Sequence, residues 1–290
     1  MMSEGTAFRK NRNRDGTPAI ALVEEAVHLL RLSPLSLVAP YYIGSLPFLL
    51  GLLYYWADMS RSPMAFSICA RAAFGMAILY LWMKCWHAAF ARRLLARLTG
   101  EPVPPWTIRR VLDHLEFQAI VQPAGLFALP FAALLTVPFA WTAAFFENLT
   151  VLGDGREGLK AATEKAWRQA RLWTGQNHLL LSILCLFGLF VFLNVVLALV
   201  ALPFLVRSLF GIETVFLSGP WYVLNTTFFA ASAGIAWLCI DPLVKAAYVL
   251  RCFYGDSLRS AADLKAELKA ILPVRGAAAG VLILVAVIGA

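Results

Sequence analysis

Apolar residues in this chain fall into long blocks, not into the short alternations of a soluble fold. Five blocks, at about 34–56, 64–91, 118–146, 178–206 and 221–250, each hold 20 or more largely apolar positions. A helix needs about 20 such residues to cross the hydrocarbon core of a bilayer. Between the blocks the pattern changes to helical amphipathicity. Ile20, Val23, Val27 and Leu30 share one face while Glu24, His28 and Arg31 lie opposite, which predicts a surface helix over 18–32. Similar helices are predicted over 107–117, 156–173 and 257–272. In the third, Lys160, Glu164, Arg168 and Arg171 form the polar stripe. The pattern predicts an all-α polytopic transmembrane helical bundle of about five or six membrane segments, with amphipathic interfacial helices.

Three regions follow. Residues 1–17 form a polar, basic tail with Arg9, Lys10, Arg12 and Arg14, too polar to serve as a cleavable leader. Residues 18–272 form the helical membrane domain. Residues 273–290 form a short apolar helix with the small-residue run Gly276-Ala277-Ala278-Ala279-Gly280. Its last fifteen residues reach about 22 Å at 1.5 Å per residue, less than the ~30 Å hydrocarbon thickness. Either the helix only dips into the bilayer or the natural chain continues past Ala290.

Composition agrees with lipid as the solvent. Hydrophobic residues make up 60% of the 290 and charged residues 14%, against about 25% charged in soluble domains. The mean hydropathy is +0.72. The net charge of +8 points to an anionic membrane surface, because the basic residues punctuate apolar blocks and no nucleic-acid motif accompanies them. The expected partners are the lipid bilayer, anionic lipid headgroups and membrane proteins docked through the amphipathic helices, with no nucleic acid.

The placement of charge poses a topological problem. Of 25 basic residues, five lie at or before Arg31, five in 92–116, five in 156–173 and five in 251–275. The turns at 57–63 and 207–220 carry one each. The positive-inside rule sets the four rich segments on the cytoplasmic side. Two of them flank the block at 118–146, so with both cytoplasmic that block cannot cross once; the alternative is one long kinked span with 156–173 outside. Its prolines, Pro123, Pro130 and Pro138, favour a hairpin that enters and returns, or crosses twice as two short helices.

Candidate chemistry is sparse. The cysteines Cys69, Cys85, Cys185, Cys239 and Cys252 form no CxxC pair and read as small helix residues. The histidines His28, His87, His114 and His178 form no HExxH, and three lie near expected interfaces as polar anchors. No GxSxG or P-loop occurs. No catalytic residue, cofactor or metal is expected. The candidate intramembrane polar cluster is Arg71, Lys84, Asp241 and Lys245, since a charge inside an apolar block is costly and pairs or faces water. Asp241 and Lys245 share a helix face. An Arg71–Asp241 pair between helices, a snorkelling Lys84, and Asn194 and Asn225 as interhelical hydrogen-bond partners complete this reading.

Three segments resemble a known family. A surface helix precedes Leu32-Ser33-Pro34-Leu35-Ser36-Leu37. Phe145-Phe146-Glu147-Asn148-Leu149 leads through a glycine turn into a helix with Ala162, Ala166-Trp167-Arg168 and Trp173. Asp241-Pro242-Leu243 precedes Cys252-Phe253-Tyr254-Gly255-Asp256-Ser257-Leu258-Arg259 and Asp263-Leu264. This order resembles the bacterial polytopic family related to the membrane domain of glycerophosphoryl diester phosphodiesterases. The resemblance implies a bacterial inner-membrane helical protein of poorly defined role, and the basic segment before Arg31 sets its N-terminus on the cytoplasmic side. It supplies no catalytic residue, because in that family the phosphodiesterase activity belongs to a separate soluble domain. The expected function is a non-catalytic scaffold or assembly subunit of a membrane complex. The alternative is a transporter or channel using the intramembrane charges and the proline-broken segment. A lipid-directed enzyme ranks last for want of an acid–base cluster.

Overall fold

The computed structural model describes residues 16–102, 108–134, 137–153, 158–212 and 225–271. Among these the fold is all-α. The helices are α1 (Ala19–Arg31), α2 (Leu35–Arg61), α3 (Ala65–Thr99), α4 (Ile108–Leu134), α5 (Val137–Leu152), α6 (Leu159–Arg171), α7 (Thr174–Phe210), α8 (Thr226–Ser260) and α9 (Ala262–Ile271). Five segments are long and apolar enough to cross a membrane: α2, α3, residues 115–132 of α4, α7 and α8. The outward face of α7 carries Leu186, Phe190, Leu193, Leu197 and Phe204 in the open. A soluble protein could not display that stripe, whereas hydrocarbon tails solvate it. The chain is a multi-pass helical membrane protein.

The expected blocks appear with shifted ends. Helix α3 continues through Arg92, Arg93 and Arg97 to Thr99, where Gly100 adopts the left-handed conformation that ends a helix (φ 65°). The separate surface helix expected at 107–117 does not form. Its residues from Ile108 onward are the first turns of α4. Helix α8 runs on to Ser260, so the last amphipathic helix shortens to α9. The N-terminal tail up to residue 15, the loop at 213–220 and the apolar segment 276–290 lie outside the described residues.

The block at 118–146 is a helical hairpin. Phe117 of α4 packs on Gly153 just beyond α5, where an added Cβ would meet its ring at 2.3 Å. One turn further along α4, Gln122 donates to the Thr150 hydroxyl at 3.4 Å. Gly125 then lies against the Phe146 ring. Each step up α4 is matched by a step back along α5, so the two helices are antiparallel and their outer ends meet.

The described parts of the four basic segments consequently gather at one end of the bundle. Arg93 donates to the Ser36 carbonyl and Arg97 to the Leu32 carbonyl, which joins the C-terminal turns of α3 to the start of α2. Tyr254 of α8 donates to the Glu25 carboxylate of α1. Gln169 of α6 donates to Asp256 of α8 at 2.8 Å. Buried Arg251 donates to Gln176 of α7 and to the Leu172 carbonyl. Arg61 and Arg207, the lone cations of the other turns, sit at the C-termini of α2 and α7, at the opposite end.

The core is densest toward the basic end. Leu22, Ala26, Tyr41, Phe90, Leu94, Leu180 and Leu250 are fully buried there. Small residues at Ala88, Ala91, Ala246 and Ala247 let the helix backbones approach. Cross-helix polar contacts lock the packing. Asn177 donates to the Ala140 carbonyl and accepts from Tyr248. Asn148 donates to the Ala166 carbonyl and accepts from the Cys252 thiol. These asparagines supply the glue that had been expected from Asn194 and Asn225. Asn194 donates to its own helix at Phe190, and Asn225 caps the N-terminus of α8.

Candidate functional site

Four helices bring polar side chains to one point inside the bundle. Helix α8 supplies Asp241 and Lys245, one turn apart. The Lys245 ammonium is 3.2 Å from Asp241 Oδ1. Helix α5 supplies Glu147, whose two carboxylate oxygens lie 2.7 and 2.8 Å from the same ammonium. Helix α3 supplies His87, with Nδ1 3.9 Å from Asp241 Oδ2. Helix α2 supplies Ser45, whose Oγ is 2.8 Å from His87 Nε2. The result is a chain of polar groups running Ser45, His87, Asp241, Lys245, Glu147.

Local sequence explains the convergence. Gly44 sits where α2 meets α3, and an added Cβ would lie 2.6 Å from that of Trp86. That contact draws Ser45 up to His87. Pro242 follows Asp241 and has no amide to bond the carbonyl four residues back, which loosens α8 at this level. Tyr41 stacks on the His87 ring at 4.8 Å, and Trp237 lies tilted beside both rings, 6.2 Å from His87 and 6.4 Å from Tyr41.

The cluster is buried but not fully satisfied. Tyr41, Ser45, His87 and Lys245 are at most 2% exposed and Asp241 is 9% exposed. The Tyr41 hydroxyl, His87 Nδ1 and Asp241 Oδ2 make no hydrogen bond. Serine, histidine and aspartate follow the order of a nucleophile, base and orienting acid. Ser45 is nevertheless completely buried, and 3.9 Å is too long for a hydrogen bond. The groups can pass or hold protons but cannot meet a bulky substrate. The place between the two carboxylates is filled by the Lys245 ammonium. Among the described residues no three His, Cys, Asp or Glu side chains converge as metal ligands.

One side of the cluster opens to a cavity of about 450 Å³ between the α4–α5 hairpin and helices α3, α7 and α8. Glu147, Lys84, Tyr80, Gln122 and Tyr248 line it. Lys84 lies over the Tyr80 ring, 5.4 Å from its centre, and points into this cavity instead of snorkelling to an interface. Pro130 of α4 forms part of the wall.

Of the four expected site residues, Asp241 and Lys245 form the heart of the cluster and Lys84 sits at its cavity side. Arg71 is exposed on the outer part of α3. Asp241 pairs with Lys245 and faces His87, so the Arg71–Asp241 pair does not form. His87 is a core residue and not an interfacial anchor. Sequence reasoning missed Glu147, Ser45 and Tyr41. Glu147 was open to discovery, being a lone acid between Phe145-Phe146 and Leu149 at the edge of an apolar block. The acid–base cluster whose absence had ranked a lipid-directed enzyme last is thus present, though sealed from substrate on its serine side. Comparison with protein-family models, curated proteins and solved structures finds no match for this chain.

Proposed function

We propose that this multi-pass membrane protein is a carrier that moves protons, alone or with a small charged solute, past Lys84 and Glu147. One observation carries the reading. Glu147 lines the cavity and at the same time grips Lys245, so a charge arriving in the cavity competes for the ion pair that holds the hairpin to α8. A structural pair needs one acid and one base. Here a second carboxylate, a histidine and a second lysine are added, each costly in hydrocarbon, where ionisable residues mark ion pathways and relays. The hairpin beside them, whose α4 carries Pro123 and Pro130 within a continuous helix, supplies Gln122, Pro130 and Glu147 to the cavity wall.

The test is flux in sealed vesicles with a trapped pH dye and an imposed membrane potential. Wild-type protein is expected to carry protons above the empty-vesicle leak. Glu147→Gln is expected to remain monodisperse and to lose at least nine-tenths of that flux. Wild-type rates in Glu147→Gln, or no flux from wild type, would overturn the reading.

A second reading, the non-catalytic scaffold or assembly subunit, draws on the outer face of α6. There Trp167 stays 48% exposed beside Arg168 while Ala162, Ala166 and Ala170 face the bundle. Mild-detergent purification that returned a stoichiometric protein partner, lost on Trp167→Ala, would favour it. The bacterial inner membrane, a cytoplasmic basic end and N-terminus, and kinship with the phosphodiesterase-related polytopic family belong to this proposal too. The gathering of basic segments supports the orientation, and the three sequence segments named above support the kinship.

A further inference from the structure

The basic end holds a second concavity, separate from the intramembrane cluster. It is a groove of about 390 Å³ between α6 and the last turns of α8, within the ~300–1,000 Å³ range of small-ligand sites. Lys165, Arg168 and Arg171 line it from α6, and Arg259 from α8. The one carboxylate in its wall is Asp256, which is engaged by the Lys165 ammonium at 3.1 Å and by Gln169 at 2.8 Å. Two further contacts build the groove. Gly255 has no Cβ, and one placed there would meet the amide end of the Gln169 side chain, which lies against it on the way to Asp256. Beneath the floor, one turn before Gly255, the guanidinium of Arg251 is 2% exposed and leaves Nη1 without a hydrogen bond.

We infer that this groove binds a phosphate group, of the kind carried by an anionic phospholipid headgroup. The lining cations exceed the carboxylate by three, and Arg251 adds a buried positive charge below. Arginine presents paired donors that match phosphate oxygens. The groove lies at the basic end of the bundle, against the last turns of the membrane-spanning helix α8, and clusters of basic residues beside such a helix recognise headgroups. Leu172 and Leu258 in the same wall suit the first carbons of an attached chain. This inference does not depend on the transport reading, since the groove shares no residue with the Glu147 cavity.

The experiment uses the full chain in neutral detergent, titrated calorimetrically with three probes. These are inorganic phosphate, dihexanoyl phosphatidic acid, and dihexanoyl phosphatidylcholine as the zwitterionic comparison. Saturable binding of phosphatidic acid is expected, at least tenfold tighter than that of phosphatidylcholine. Inorganic phosphate binding as tightly would identify a free phosphate as the ligand, and binding confined to the amphiphile would identify a headgroup. The pair Arg168→Gln/Arg259→Gln should weaken binding at least tenfold. The pair Arg31→Gln/Lys160→Gln, removing equal charge from the same end outside the groove, should change it less than twofold. Arg168→Lys/Arg259→Lys, which keeps charge and perturbs folding least, should give an intermediate loss. Equal weakening by both glutamine pairs would reduce the effect to a diffuse field and overturn the inference, as would no saturable binding to phosphate or phosphatidic acid.

Discussion

The Lys245 ammonium sits 2.7 and 2.8 Å from the two carboxylate oxygens of Glu147, a residue 98 positions earlier in the chain. This contact ties the end of the hairpin to the central helix α8. It also makes Lys245 the shared cation of two acids, because Asp241 holds it from its own helix. Removing the lysine leaves the buried Asp241 carboxylate and the half-buried Glu147 carboxylate without their shared cation. Lys245→Met is therefore expected to destabilise the protein by about 3 kcal/mol, in the range seen when one partner of a buried pair is lost. Adding Glu147→Gln to Lys245→Met should recover part of that loss. Unfolding in mixed micelles measures both, and strictly additive effects of the two substitutions would show that the pair is not coupled.

Two helix glycines should respond with opposite sign to the same substitution. Gly44 faces Trp86 and the Met83 carbonyl, with no room for a methyl group. Gly44→Ala should cost about 1–3 kcal/mol through overpacking. Gly75 on α3 has nothing within 4 Å of an added Cβ. Gly75→Ala should be neutral or stabilise by up to about 1 kcal/mol, the difference in helix propensity. Thermal unfolding of both variants in one detergent is the comparison, and a larger loss at Gly75 would contradict the α2–α3 packing.

Side-specific labelling checks the hairpin. In a background with the native cysteines replaced, Arg31→Cys, Lys160→Cys and Arg259→Cys should react with an impermeant maleimide from one side of the membrane. Arg61→Cys and Arg207→Cys should react from the other. Labelling of Lys160→Cys on the same side as Arg61→Cys would require α4 and α5 to make a single crossing.

Asn177 bonds both the Ala140 carbonyl and the Tyr248 hydroxyl, 2.7 and 3.0 Å away. Asn177→Leu strips α5 and α8 of these contacts and leaves the tyrosine without its acceptor. A loss of about 1–2 kcal/mol is expected, the scale of interhelical hydrogen bonds in membranes. Tyr248→Phe should cost less, because Asn177 keeps its bond to Ala140. The reverse order in an unfolding series would reject this assignment.

The spans were legible because the requirement for about 20 apolar residues is written along the chain. The hairpin was legible from charge, since Arg92–Arg97 and Lys160–Arg171 cannot both lie inside if 118–146 crosses once. Helix ends were less legible. Arg251 looked like the start of a cytoplasmic segment, yet it is buried against Leu172 and Gln176 and α8 carries on past it. The site was half legible. Asp241 and Lys245 stand out as charges one helical turn apart. Ser45 and Tyr41 are ordinary residues in an apolar run, and only the α2–α3 approach at Gly44 joins them to His87. Arg71 satisfied the same sequence criterion as Lys84. Its place on an exposed face of α3 depends on packing that the apolar pattern does not encode.

The matched steps from Phe117 to Gly153 mean that α4 and α5 return the chain to the end it left. The hairpin is therefore neutral in the parity of crossings. Its depth can change, by insertion, tilt or withdrawal, without moving α6, α7 or α8 to the other side of the bilayer. Such a change would have to part Glu147 from Lys245 and break the bonds of Asn148 and Asn177 that join α5 to a frame whose sidedness is already fixed.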